Sequence, residues 1–418
     1  MSCGCQCSGS RGYARPQHLC DAETKNYYKV KRKLFITTTA ARTLFFFKGQ
    51  TKLWNEVFDV CAISSEKEKL INFSQTEGIR YNYMSMHREI SLVSDVCCLL
   101  RFIWLFVKER PYIVHGNTPK ASMLSMLAAW LTCRPIRIYM CHGLRYQTTT
   151  GNLRRILMFM EKLSCFCATQ VFCVSEGVRK QLVKDGLCKE GKGKVVGYGT
   201  AGGIDVNYFS RKALYDTPDK RAKLGIHQND FVFCFVGRVV KDKGINELVS
   251  AFDRLSQEYH VHLLLVGPKE NDLDPIDEST QILISKNKYI YAVGRQNDVR
   301  PYLATSDAFV LPSYREGVGM ALLEANAMGV PCIASDIIGC HDVVTEGVNG
   351  ELVQPRCTDA LYQKMKEWVE HRERVAELAK GCRNYVLSRY THEDVKNAYY
   401  QELQMLAGLL RKKSEKNY

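Results

Sequence analysis

The chain is 418 residues long, 46% hydrophobic and 24% charged, a composition that excludes a disordered or fibrous polypeptide and leaves room for two globular domains. Its net charge of +14 is carried by one half: residues 1–210 hold 30 Lys and Arg against 15 Asp and Glu, whereas residues 211–418 hold 28 against 29. A basic half suits an anionic partner, be it nucleic acid, a membrane surface or a phosphorylated acceptor, with plain solvation as the alternative.

Residues 1–30 are polar and without hydrophobic period, so a disordered extension with no secretory signal is expected there. Cys3, Cys5 and Cys7 form C-x-C-x-C and Cys20 follows, yet no His or Cys pair at zinc-finger spacing lies nearby, and no metal site is expected. Cys61, Cys97, Cys98, Cys141, Cys173, Cys234 and Cys332 lie in apolar runs and read as buried free thiols of a reducing compartment.

From Lys33 onward, short apolar strands alternate with helical patterns. The first half predicts strands at 33–38, 57–63, 79–83, 112–115, 137–141, 171–174 and 194–198, with helices at 44–55, 90–109, 120–131, 152–167 and 176–184, the last capped by Ser175. The longest apolar stretch, 90–107, contains Asp95 and Arg101 and is short for a membrane span, so it reads as an amphipathic helix and any membrane contact is expected to be peripheral. Residues 201–220, rich in turn formers, read as a linker. Beyond it come strands at 231–236, 262–266, 290–293, 308–311, 332–334 and 351–353. Helices are expected at 245–257, 275–285, 299–304, 319–328, 360–370, 373–389 and 393–410, the last running into Arg411-Lys412-Lys413. Such alternation builds parallel sheet covered on both faces. The expected fold is therefore α/β, two Rossmann-like doubly wound domains at 31–200 and 221–390 facing a cleft, with residues 391–418 as a final helix and basic tail and ligands at the strands' carboxyl ends.

The most informative stretch is 312–329, P-S-Y-R-E-G-V-G-M-A-L-L-E-A-N-A-M-G, where strand 308–311 breaks at Pro312 into a loop and restarts as a helix. On one continuous helix Glu316 and Glu324 would stand roughly 80° and two turns apart. With Glu316 in the loop and Glu324 on the helix, both reach one cleft. Gly317 and Gly319 permit that path, and the amides of Val318, Gly319 and Met320 at the helix start form an anion site.

In this setting E-x7-E resembles the donor-site signature of retaining glycosyltransferases of the two-Rossmann (GT-B) architecture, specifically glycosyltransferase family four. The resemblance implies that Glu316 meets the donor sugar, that Glu324 holds the ribose hydroxyls, and that the intervening backbone from Gly317 to Met320 meets the diphosphate. Gly237-Arg238 followed by Lys243-Gly244 resembles the family's G-R-x-x-x-x-K-G element, in which Arg and Lys clamp the diphosphate. Fixed cations of this kind stabilise the charge that grows on a departing nucleotide. Tyr291–Gly294, with Val293, corresponds by position to a segment bounding the base. His142-Gly143, in C-H-G-L-R, resembles the T-x-H-G element whose His contacts the sugar or its reaction centre; a structural His is the alternative.

The resemblance thus gives His142, Glu316, Arg238 and Lys243 as the catalytic set. For the acceptor, Thr37, Thr38, His115, Thr118, Lys120 and Arg145 are candidates, with an N-cap as the other reading of Thr118. Residues 37–42 depart from the Gly-rich loop of many relatives. Asp272-Leu273-Asp274 reads as a solvated turn rather than a metal site, because Arg238 and Lys243 take that role.

The implied activity is retaining transfer of a sugar from a nucleoside diphosphate sugar, UDP-linked, to a lipid-linked or growing saccharide in bacterial capsule, lipopolysaccharide or exopolysaccharide synthesis. No metal or further cofactor and no nucleic acid is expected, and the location is the cytoplasmic face of the inner membrane, peripherally bound. One rival is a nucleotide-sugar epimerase of the same architecture, which needs acid/base carboxylates in the first domain. A nucleic-acid-binding module is the other, against which neither a strand–G-x-G-x-x-G–helix unit nor an RNP-like pattern is present.

Overall fold

A computed structural model describes residues 31–87, 91–215, 220–270 and 274–409. The first sheet comprises β1 (Arg32–Thr37), β2 (Phe58–Ser64), β3 (Arg80–Tyr83), β4 (Ile113–Gly116), β5 (Ile136–Cys141), β6 (Gln170–Cys173) and β7 (Gly193–Val195), in the order β3-β2-β1-β4-β5-β6-β7 with every pair parallel. The second comprises β8 (Phe231–Val236), β9 (Val261–Val266), β10 (Ile290–Gly294), β11 (Ala308–Leu311), β12 (Cys332–Ser335) and β13 (Gly350–Val353), in the order β10-β9-β8-β11-β12-β13, again all parallel. Central strands such as β9 are buried along their whole length, as a sheet covered on both faces requires. The chain is thus α/β with two Rossmann-like sheets, as its alternating pattern predicts. In each sheet the strand order reverses at one place, between β1 and β4 and between β8 and β11, and a crevice opens there at the carboxyl ends.

The helices of the first half are α1 (Gln50–Val57), α2 (Lys67–Glu77), α3 (Leu92–Glu109), α4 (Pro119–Leu131), α5 (Gly151–Cys167) and α6 (Glu176–Lys184). Ser175 caps α6, its Oγ accepting from the Val178 amide at 3.3 Å. The expected helix 44–55 is two pieces: a 3-10 turn over Ala41–Phe47, then α1, separated at Gly49 with φ 74°. Helix α2 is not anticipated by the apolar pattern, because Ser74 and Glu77 occupy half of its buried face. Glu77 is held there by polar partners, accepting from the Gly49 amide at 2.8 Å and the Thr51 hydroxyl at 2.7 Å at the start of α1.

The second half adds α7 (Lys220–Leu224), α8 (Ile245–Glu258), α9 (Glu278–Lys286), α10 (Arg300–Thr305), α11 (Met320–Ala327), α12 (Thr358–Glu370), α13 (Arg372–Leu387) and α14 (His392–Leu406). Helix α14 returns to the first sheet: Val395, Tyr399, Leu403 and Ala407 belong to the first hydrophobic core. Where it departs, it runs beside the outgoing linker. The Ile204 amide donates to the Tyr390 carbonyl and the His392 amide to the Ile204 carbonyl, both at 2.8 Å.

Among the described residues no cysteine is in a disulfide. Of the seven cysteines expected inside, Cys97 is instead exposed on the outer side of α3, because the apolar run around it is amphipathic. Among the described residues no helix is long and apolar enough to cross a membrane. The N-terminal C-x-C-x-C with Cys20, the residues Asp272 and Leu273, and the basic tail Arg411-Lys412-Lys413 lie outside the described residues.

Candidate active site

The loop leaving β11 carries Glu316, and α11 starts only at Met320, so Glu316 is a loop residue and Glu324 a helical one. Glu316 forms an ion pair with Lys243, the Lys243 and Glu316 side chains being 19% and 14% exposed. Lys243 ends a 3-10 turn, Lys241–Lys243, just after β8. That turn is pressed against the β11 loop: Gly244 has φ 69°, and a Cβ there would stand 2.0 Å from the Pro312 carbonyl oxygen. No other residue fits. Asp242 fastens the same contact, accepting at its carbonyl from the Tyr314 amide at 2.9 Å and at its carboxylate from Arg315 at 3.0 Å. Asp274, the last residue of the D-x-D, accepts from the Asp242 amide at 2.7 Å and so serves the turn.

Arg238 stands after Gly237 at the end of β8 and pairs with Glu270 at 2.7 Å. Two of the amides expected to bind an anion are occupied, Gly319 donating to the Gly339 carbonyl at 3.3 Å and Met320 to the Val318 carbonyl at 2.7 Å. The Val318 amide makes no such bond among the described residues. Val293 lies at the end of β10, its carbonyl accepting from Gln296 at 2.7 Å. Burial alone pushes the Glu324 carboxyl up to about 7.

Across the crevice, His142 follows β5. Its backbone meets the donor loop directly, because a Cβ on Gly317 would stand 1.9 Å from the His142 carbonyl oxygen. The imidazole stacks on Phe46, centroids 5.8 Å apart at 27°, and meets Phe47 edge-on at 6.3 Å. Burial lowers its pKa to about 4, which keeps it neutral at physiological pH. Two further bonds join the halves: Arg315 donates to the Thr148 hydroxyl at 3.1 Å, and the Gly177 amide at the start of α6 donates to Asp342 at 2.9 Å.

The acceptor set is corrected by burial. Thr37 and Thr38 are 0% exposed, and their hydroxyls are engaged by Ser125 Oγ at 2.9 Å and the Ala40 carbonyl at 3.1 Å. His115, also 0% exposed, sits among the rings of Phe47, Trp54 and Phe172, and burial with His142 nearby lowers its pKa to about 3. Lys120 pairs with Asp95 of α3 at 2.6 Å in a nearly dry site. All four are thus engaged by partners within the first half. Thr118 precedes Pro119, but its hydroxyl makes no capping bond and instead accepts from the Thr39 amide at 2.9 Å. Arg145, on the 3-10 turn Arg145–Thr148, is exposed.

Several residues that shape the site escape sequence reading. Glu270 and Asp342 carry no local motif, and only their cross-chain partners reveal them. Arg315 adjoins Glu316, and Asn117, which lies beside both His115 and His142, stands within V-H-G-N-T-P-K.

Residues 59–199 match the family described as Glycosyltransferase Family 4, and residues 216–385 match the family described as Glycosyl transferases group 1. The chain is 32% identical over 386 residues to the capsular polysaccharide biosynthesis glycosyltransferase CapM of Staphylococcus aureus, spanning 92% of this chain and 99% of that one. To the UDP-Gal:alpha-D-GlcNAc-diphosphoundecaprenol alpha-1,3-galactosyltransferase of Escherichia coli it is 27% identical, over 80% of this chain and 86% of that one. Among solved structures it resembles Anabaena HepE, in complex with UDP and glucose, with TM-score 0.74 at 17% identity over 90% of this chain and 100% of that one, a likeness of fold.

Proposed function

The chain belongs to the glycosyl transferases group 1, glycosyltransferase family four, and is a glycosyltransferase; from that premise we propose that it moves a sugar, with retention, from a UDP-linked donor to a lipid-linked or growing saccharide in bacterial surface-polysaccharide synthesis. The observation that carries this reading is the Lys243–Glu316 pair set against the backbone of His142, with Glu324 on the adjoining helix. The relatives named above for capsule synthesis and for a diphosphoundecaprenol acceptor support the substrate classes.

In this reading Lys243 and Arg238 receive the diphosphate. Each is held beforehand by a carboxylate, Glu316 or Glu270, so the cations are in place before the ligand arrives. As the diphosphate takes Lys243, Glu316 is released to accept hydrogen bonds from the sugar. Glu324 accepts from the ribose hydroxyls. Neutral His142 meets a sugar hydroxyl without placing a positive charge beside the developing oxocarbenium ion. Among the described residues no carboxylate of the first half bonds to His142 or to the loop that carries Glu316. The proposed route is therefore front-face, with the departing phosphate taking the acceptor's proton. Two fixed cations serve the leaving group, so no metal is required.

Peripheral contact with an anionic membrane, at the cytoplasmic face, completes the proposal. Helix α3 turns Leu92, Val93, Val96, Leu100, Trp104 and Val107 outward, with Arg101 and Lys108 exposed beside them.

Calorimetric titration with UDP and with GDP, beside Glu324→Ala, tests the donor site. Binding of UDP, weakened at least tenfold in the variant, is expected. Equal affinity in the variant would remove Glu324 from the nucleotide site.

A further inference from the structure

We propose that Asn117 is a positioning residue that holds His142 as its Nε2–H tautomer and thereby offers Nδ1 as a hydrogen-bond acceptor to a hydroxyl of the bound sugar. The inference rests on the reading of His142 as a residue of the sugar site.

Asn117 is 1% exposed at the end of β4. Its amide nitrogen faces three acceptors, the Thr37 carbonyl at 3.3 Å, the His115 carbonyl at 3.2 Å and His115 Nδ1 at 3.1 Å. Backbone carbonyls only accept, so the side-chain amide cannot be turned the other way. Its oxygen, Oδ1, therefore lies toward His142 Nε2, at 3.4 Å. An amide oxygen also only accepts, so Nε2 of His142 must carry a proton. In a neutral imidazole that leaves the lone pair on Nδ1.

The ring cannot turn freely, being stacked on Phe46 and set edge-on to Phe47. Nδ1 of His142 makes no hydrogen bond among the described residues. Two tautomers are thus fixed by one amide: His115 accepts at Nδ1 and carries its proton on Nε2, and His142 carries its proton on Nε2 and accepts at Nδ1. An acceptor-only Nδ1 selects a sugar that presents a hydroxyl there, and it discriminates against a fluoro or O-methyl substituent at the same carbon, which has no proton to donate.

The whole chain, labelled with 15N-histidine and compared with a His142→Gln sample for assignment, reads the tautomer directly at pH 7. Wild type is expected to show His142 with a protonated Nε2 and an unprotonated Nδ1; a protonated Nδ1 would overturn the proposal without any variant at Asn117. In Asn117→Ala the Nδ1–H form should appear. UDP affinity within twofold of wild type, read by calorimetry, shows that the variant folds. Transfer by Asn117→Ala is expected to fall about 10- to 100-fold. An unshifted tautomer in Asn117→Ala would overturn the role of Asn117 alone. A shifted tautomer with undiminished transfer would overturn the place of His142 at the sugar.

Discussion

A carboxyl perturbed by burial alone keeps its proton to higher pH, and Glu324 does so up to about 7. The sign follows from linkage. Its folded value lies above the unfolded one near 4.5, so its contribution to stability is complete below about 4.5 and is lost as pH rises through about 7. Ribose hydroxyls need the ionised form as acceptor, so a bound nucleotide and a free proton compete for this group. UDP affinity should rise about tenfold between pH 6 and pH 8, and the rise attributable to the enzyme should vanish in Glu324→Gln. Calorimetry at the two pH values measures both. A Glu324→Gln slope equal to that of wild type would place the titration elsewhere.

At the scale of the element, α3 is two faces of different chemistry. Cys98, Phe102, Leu105 and Phe106 are buried, while Leu92, Val93, Val96, Leu100, Trp104 and Val107 are each more than half exposed. The apolar surface continues at the end of α4 and onto α5, where the Trp130 and Phe166 rings stand 6.0 Å apart and Phe159 is exposed. In the proposed membrane contact, these residues would enter the headgroup region, where the exposed Arg101, Lys108, Arg154 and Arg155 would meet anionic lipid. The protein should float with vesicles of anionic lipid at low salt, and the double variant Leu100→Glu with Trp104→Glu should stay behind with unchanged UDP binding. Flotation of the double variant as complete as that of wild type would exclude α3 as the contact.

Strands such as β8, β9 and β11 are legible in the sequence because each is an apolar run too short for a helix and bounded by polar or turn-forming residues. Helix α2 is not, because Ser74 and Glu77 take half of its buried face and leave only Leu70 and Phe73 as an apolar signal. The loop–helix unit with Glu316 and Glu324 is legible as a motif. The acceptor candidates mislead for a related reason: position at a strand's end does not separate a hydroxyl that faces a ligand from one, like that of Thr37, already bonded inside the domain. Lys120 reads as a free cation until Asp95, distant in sequence, is seen beside it.

For the molecule as a whole, the contacts that hold the halves together at the crevice include Gly317 on the His142 backbone, Arg315 on Thr148, Asp342 on Gly177, and Val318 and Ile338 packed on the first core. The Asp342 contact sets a carboxylate at the first turn of α6, where the helix dipole favours it. Asp342→Ala should weaken closure by about 1–2 kcal/mol. Small-angle scattering of the ligand-free variant should then give a larger radius of gyration than wild type, with the difference shrinking as UDP is added. Identical radii without ligand would mean that Asp342 bears no part in closure.

The return of α14 sets an order on assembly. Tyr399 and Leu403 fill the core of the first domain and are wholly buried there, yet they follow the whole second domain in chain order. A nascent chain that has emerged as far as β7 carries every strand of its first sheet but an open apolar groove where α14 will sit. The second domain, contiguous from β8 to α13, has no such gap. The domain made first is therefore the one completed last, and chaperone binding during translation is expected to fall on it.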